Sequence, residues 1–287
     1  MEKAGTKKYS QLKEIWQRLT KNRLAVVGIV ILALLLVCAV FANLVAPYTY
    51  AEQDLMATLQ GPSSAHWFGT DNFGRDIFSR VIYGSRVSLF VGFIAVGISL
   101  LGGGFLGAMA GYYGKHVDNI IMRLMDVVLS IPPILLAIAI VAALGPGLMN
   151  LMIATGISGL PGYARLVRAS ILSIKDQEYV EAARAVGTRN SEIIFRHILP
   201  NCMAPILVQA TFGVATSILT VAGLSFIGLG LQPPTPEWGA MLSTGRDYLR
   251  QYPHICIFPG LAIAMTIFSL NVLGDGLRDA LDPKLRN

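Results

Sequence analysis

An all-helical membrane protein with six transmembrane helices is the fold class this sequence predicts, on three observations. Hydrophobic residues supply 54% of the 287 positions and charged residues only 14%, against about 25% charged in a soluble domain. Six apolar runs, at 24–46, 87–110, 119–144, 148–171, 204–231 and 255–277, reach or approach a spanning length. About 30 Å of hydrocarbon takes roughly 20 helical residues to cross. Finally, Lys and Arg are distributed unevenly among the segments that join those runs. The chain accordingly divides into a basic tail (1–23), a first helix (24–46), an external loop (47–86) and a five-span core (87–287) with a polar segment at 172–203.

The tail carries Lys3, Lys7, Lys8, Lys13, Arg18, Lys21 and Arg23. Basic residues accumulate on the cytoplasmic side of a membrane. With the tail inside, only Arg75, Arg80, Arg86, Arg246 and Arg250 of the 23 basic residues fall outside. Both termini are therefore predicted to be cytoplasmic, and the net charge of +6 reflects this bias. The expected partner of the apolar surface is the lipid bilayer. A nucleic-acid partner is not expected, because no basic stripe is evident. The first span is read as an uncleaved anchor, since its apolar run exceeds the 7–15 residues of a signal-peptide core. Val37 before Cys38 argues against a lipoprotein site. Cys38, Cys202 and Cys256 sit in or beside spans, where buried thiols are expected.

The external loop centres on residues 66–76, His-Trp-Phe-Gly-Thr-Asp-Asn-Phe-Gly-Arg-Asp. Gly69 and Gly74 permit tight turns, and Asp71 or Asn72 can bond the local backbone there. Asp76 is placed to cap a short helix bearing Ile77, Phe78, Val81 and Ile82 on one face. Such a helix would lie in the interface or over the mouth of the spans. With the second external loop, 232–253, this region offers Trp67, Asp71, Arg75, Asp76, Glu237 and Trp238 as candidate contacts for an external partner.

Within the spans, Ser99, Gly103, Gly107 and Gly111 recur every fourth residue, a packing stripe that lets helices approach closely in lipid. Pro132-Pro133 in the third span frees backbone groups and kinks the helix, either as a gate or as a plain bend. Gly159, Pro161 and Gly162 make the fourth span the weakest. Arg123 and Asp126, three residues apart, are expected to pair and snorkel, and Asp275 to behave likewise.

The polar segment 172–203 is the most specific part of the chain. Asp176 is expected to cap a helix running through Val186, with Glu178 and Glu181 near its positive end. Ala182, Ala183 and Ala185 keep one face slim, and Gly187 ends the helix at positive φ. Thr188 or Asn190 would then start a second helix bearing Ile193, Ile194, Ile198 and Leu199, stopped by Pro200. Two short helices joined at a glycine make a rigid lever.

Glu181, Ala182, Ala183, Gly187, Leu199 and Pro200 resemble the Glu-Ala-Ala signature of binding-protein-dependent ABC importer permeases, with His197 at a position that is usually aliphatic. Residues 66–76, 226–230, 237–239 and 274–283 are similar to the peptide and nickel branch of that superfamily, and the modest first external loop to its second, "C"-type permease. The resemblance implies a type I ABC importer permease fold with cytoplasmic coupling helices, in a bacterial or archaeal cell membrane. It implies a second homologous permease, two cytoplasmic ATPase subunits and an external solute-binding protein. ATP and Mg would sit on the ATPase subunits, with no cofactor and no catalytic residue on this chain. Peptides are the implied cargo, with nickel or metal chelates as the alternative. Residues 111–115 are too short for a phosphate-binding Gly-rich loop and lack the Ser or Thr after the lysine. His66, His116, His197 and His254 are too scattered for a metal site or a hydrolase triad. An ATP-independent secondary transporter is disfavoured, because neither inverted repeats nor paired deep carboxylates are evident.

Overall fold

Helices account for the architecture of the described residues. A computed structural model describes residues 13–282; Lys3, Lys7 and Lys8 of the basic tail, and Pro283 of the last motif, lie outside the described residues. Residues 13–21 are helical, and Asn22 resets the chain direction. Its side-chain oxygen accepts from the N–H groups of Leu24 (3.1 Å) and Ala25 (3.2 Å) and so caps α1, Arg23–Val40. Arg86 closes the other end, donating to the carbonyls of Ala39 and Val40 and to Asn43 Oδ1, so that terminal acceptors are not left open.

Asp76 caps α2, Ile77–Tyr113, through Ser79 N–H at 2.7 Å. The separate short helix expected after Asp76 is instead the opening turns of this 37-residue helix. Gly84 and Ser85 are buried in it and interrupt nothing. At 1.5 Å per residue α2 is about 55 Å long, with Ile77 and Val81 in one buried cluster and Ala108 in another. Its small-residue stripe meets α5, Leu148–Leu172. A Cβ at Gly103 would lie 2.3 Å from Leu160 O, and one at Gly107 2.3 Å from Ala164 O, while Ser99 Oγ donates to Gly156 O at 2.7 Å.

The single third span expected over 119–144 is broken. α3, Lys115–Leu129, and α4, Pro133–Leu144, are bent by 84°. Pro132 and Pro133 cannot donate to the preceding turn, and Pro133 opens the new helix where its missing N–H costs nothing. Asp118 of α3 accepts twice from Arg168 of α5, each bond 2.5 Å, and Asp126 accepts from Arg165 at 2.6 Å. This corrects the expected Arg123–Asp126 pair: Asp126 faces α5, where a closer cation is available.

Beyond α5 lie α6, Glu178–Ala185, and a continuous helical run from Asn190 into α7, Met203–Phe226. α8, Trp238–Gly245, and α9, His254–Leu281, complete the chain. Among the described residues four helical stretches are long and apolar enough to cross a membrane: Arg23–Val40, Ile77–Tyr113, Asn190–Phe226 and His254–Leu281; the bent α3–α4 pair, taken as one span, makes five. The expected sixth, α5, is long enough but too polar, diluted by Asn150, Thr155, its glycines and Arg165. Leu151, Ala154, Gly156, Tyr163, Ala164 and Val167 are buried, so much of its surface meets protein rather than lipid.

The molecule has two poles. At one, Ile77 and Val81 of α2 cluster with Ala222, Trp238, Met241 and Ile255. At the other, Ala108 of α2 clusters with Val167, Ile171, Val180, Ala183, Ile193 and Ile198. The two external loops of the sequence reading therefore share one end, and the lever sits at the other.

Candidate functional site

The lever begins at Gln177, which occupies the N-cap of α6 without a side-chain capping bond. The cap expected from Asp176 is thus not made, and the first turn relies on Glu178 and Glu181 facing its positive end. Val180 and Ala183 point into the buried cluster, whereas Glu181, Ala182, Arg184 and Ala185 point away from it. The two alanines of the signature therefore divide, Ala183 packing inward and Ala182 facing out. Val186 follows, an aliphatic side chain left 81% exposed.

Gly187 ends α6 at φ +81°. Its N–H donates to Arg184 O (3.0 Å) and that of Thr188 to Ala183 O (3.1 Å), the paired bonds of a Schellman turn. Nothing lies within 4 Å of a Cβ built at Gly187. The glycine is demanded by the left-handed backbone and not by crowding.

The second limb starts at Asn190, following Arg189 and with no side-chain cap from Thr188 or Asn190. Ile193, Ile194 and Ile198 are buried, Leu199 packs on the same cluster, and Pro200 is exposed. Pro200 does not stop the helix as expected. The chain widens to a π-type turn over Ile193–Ile198, tightens over Leu199–Cys202 and continues as α7. A wide turn absorbs the N–H that Pro200 cannot supply. Both limbs are fastened to the end of α2 through Tyr112, which the sequence reading did not single out. The Arg184 guanidinium lies 5.4 Å from the Tyr112 ring centre, and the Tyr112 hydroxyl donates to Asn190 Oδ1 at 2.8 Å.

The opposite pole is built the other way. Asp71 Oδ1 accepts from Phe73 N–H (2.8 Å) and Arg75 N–H (3.1 Å), and Oδ2 from Arg75 Nε (2.7 Å). Arg80 Nε lies 3.6 Å from the same oxygen, and its Nη1 donates to the carbonyls of Tyr50 (2.8 Å) and Pro234 (3.1 Å). Thr70 Oγ1 accepts from Gln60 N–H and donates to Ala57 O. Asp76 caps α2 with one oxygen and meets His66 Nδ1 at 3.0 Å with the other. Gly74, at φ +68°, lies where a Cβ would be 1.8 Å from Asp54 O.

Glu237 accepts from Gly239 N–H and Ala240 N–H, both at 2.9 Å, capping α8, and faces Ser88 Oγ at 3.4 Å. Burial raises its carboxyl pKa above the usual range, against the pull of those amides. Trp238 is fully buried and donates its indole N–H to Val81 O at 3.0 Å. Asp71, Arg75, Asp76, Glu237 and Trp238 were expected to meet an external partner. In the structure these five are buried and bonded within this chain, whereas Trp67, the sixth of the set, is 59% exposed. The spacing of Asp71 to Arg75 and Arg80, between turn glycines, is the signal that could have disclosed the internal network. Among the described residues no group of three or more His, Cys, Asp or Glu could hold a metal ion.

Residues 103–287 match the binding-protein-dependent transport system inner membrane component, and residues 10–62 match the N-terminal transmembrane domain of oligopeptide transport permease C. The chain is 51% identical to the dipeptide transport system permease protein DppC of Alkalihalophilus pseudofirmus, covering 97% of this chain and 91% of that protein. It is 47% identical to the di/tripeptide permease DppC of Pseudomonas aeruginosa (97% and 94% covered) and 48% identical to the glutathione permease GsiD of Escherichia coli (95% and 90%). In fold it is similar to the MetNI methionine ABC transporter in an inward-facing conformation, with a TM-score of 0.58 at 18% identity over 71% of this chain and 97% of that one. The chain belongs to the binding-protein-dependent transport system inner membrane components, the permeases of ABC importers.

Proposed function

We propose that this chain forms half of the translocation path of an ATP-driven importer of short peptides, with the segment from Glu181 to Pro200 as its coupling lever. In this reading α5 is the sixth span, both termini are cytoplasmic, and the lever pole faces the cytoplasm. A second, homologous permease completes the path, and an external binding protein delivers the cargo. Two ATPase subunits, carrying ATP and Mg, receive the lever in a groove. Closure of the ATPase pair on ATP pushes the lever and shifts the balance between two arrangements of the spans. Relatives named for dipeptides, di- and tripeptides and glutathione support peptide cargo.

One observation carries the lever assignment. α6 presents Glu181, Ala182 and Ala185 outward over a buried base, and Val186, just past its end, stands 81% exposed. Exposed apolar groups on a short, rigid, polar-flanked element are characteristic of a docking surface. Gly187→Asp and Glu181→Lys should leave the chain in the membrane at normal levels while abolishing ATPase copurification and uptake of labelled dipeptide. Normal ATPase binding and uptake in either variant would overturn the lever.

A further inference from the structure

We infer that Tyr112 is a positioning residue that holds both limbs of the lever to α2 and carries their movement into it. This rests on the coupling reading above and adds the route by which movement leaves the lever. In sequence the lever joins only α5 and α7. α2 is remote from it along the chain, yet Tyr112 in its last turn touches both limbs: Arg184 stacks on the ring and Asn190 takes the hydroxyl proton in a hydrogen bond. The residues between those attachments, 185–189, form the hinge around Gly187 and are largely exposed. Fixing a point on each side of a hinge to one ring sets the angle between the limbs. The same attachment links that angle to a helix of 37 residues whose far end is anchored by Asp76 and packed against Trp238.

Beneath the ring the contact is continuous. Ala108, one turn earlier in α2, shares a buried cluster with Val180 and Ala183, and a Cβ at Gly111 would lie 3.0 Å from Ile171 Cβ. The apolar cluster supplies adhesion and Tyr112 supplies direction, holding Asn190 by a hydrogen bond and Arg184 by a ring contact. A stacked cation adds attraction without fixing distance, whereas the hydroxyl bond fixes both.

The experiment uses the full importer, with its ATPases and binding protein, in proteoliposomes. ATP hydrolysed per dipeptide taken up is measured for Tyr112→Ala, Tyr112→Phe, Arg184→Lys and Asn190→Ala. Tyr112→Ala should raise this ratio about fivefold or more, the low end of a typical coupling, while the ATPases still copurify. Tyr112→Phe, keeping only the ring contact, should fall between it and the unaltered protein, Asn190→Ala should match Tyr112→Phe, and Arg184→Lys, which keeps the hydroxyl bond and a cation, should lie nearest the unaltered protein. An unaltered ratio for Tyr112→Ala, or for the pair Tyr112→Phe and Asn190→Ala if the alanine variant does not assemble, overturns the inference. Failure of the lever itself is distinct: Glu181→Lys and Gly187→Asp would then keep ATPase binding whatever Tyr112 does.

Discussion

At the pole formed by residues 47–76 and α8, charged side chains turn inward and are matched; at the pole formed by α6 and the following limb they turn outward. Asp71 accepts three bonds from its own loop and Arg75 is 2% exposed, whereas the Glu181 carboxylate has no hydrogen-bond or ion-pair partner among the described residues. Glycine divides in the same way. Gly74 sits where any side chain would strike Asp54, and Gly187 sits in open space. One pole is a closed knot that fixes where α2 begins. The other is an unfinished surface whose base alone is complete. Motif density is therefore no guide to which surface receives a partner; what matters is whether the polar groups are already used.

The largest expected effect falls on the knot. Asp71→Ala leaves Arg75 and Arg80 buried without their carboxylate and should destabilise the protein by about 3–5 kcal/mol, read as thermal unfolding in detergent. Glu181→Ala should change the same readout by less than about 0.5 kcal/mol. Equal losses would erase the contrast between the poles. Trp238→Phe keeps most of the bulk but removes the indole N–H bond to Val81 O, and about 1–3 kcal/mol is expected. Gly187→Ala forces a Cβ into the left-handed region without a clash and should cost about 1–2 kcal/mol, confined to the lever.

Glu237 gives an effect whose sign depends on pH. Its folded pKa is raised by burial, so its stabilising contribution is complete below the ordinary carboxylate range and is lost as pH rises through the folded value. Glu237→Gln should therefore gain on the unaltered protein as pH rises from acid toward neutral. A difference in unfolding midpoint that does not vary with pH would contradict this.

Much of this was legible in the residues. The apolar runs located α1, α2, α7 and α9, because mean hydropathy reports burial in lipid directly. It located α5 only by length, since Tyr163, Gly156 and Ala164 are bought off by α2 rather than by lipid. Pro132-Pro133 announced a break, but an 84° bend needs α3 to be held elsewhere, by Asp118 and Asp126 on two arginines some 40–50 residues away. Gly187 was readable because a Schellman turn has a local signature. Tyr112 was not, since its partners Arg184 and Asn190 are brought to it by the fold alone. The internal bonding of Asp71, Arg75 and Glu237 was not legible, because polarity in a loop reads as surface until mutual bonds are seen.

The central claim is that the outward face of α6 is covered by another polypeptide on the cytoplasmic side. Val186→Cys, in a chain with Cys38, Cys202 and Cys256 replaced, would be reacted with a membrane-impermeant maleimide in inside-out vesicles, with and without the ATPase subunits. The account predicts rapid labelling without the ATPases and strong protection once they assemble. Labelling indifferent to the ATPases, or reaching that position only from the external side, would contradict it.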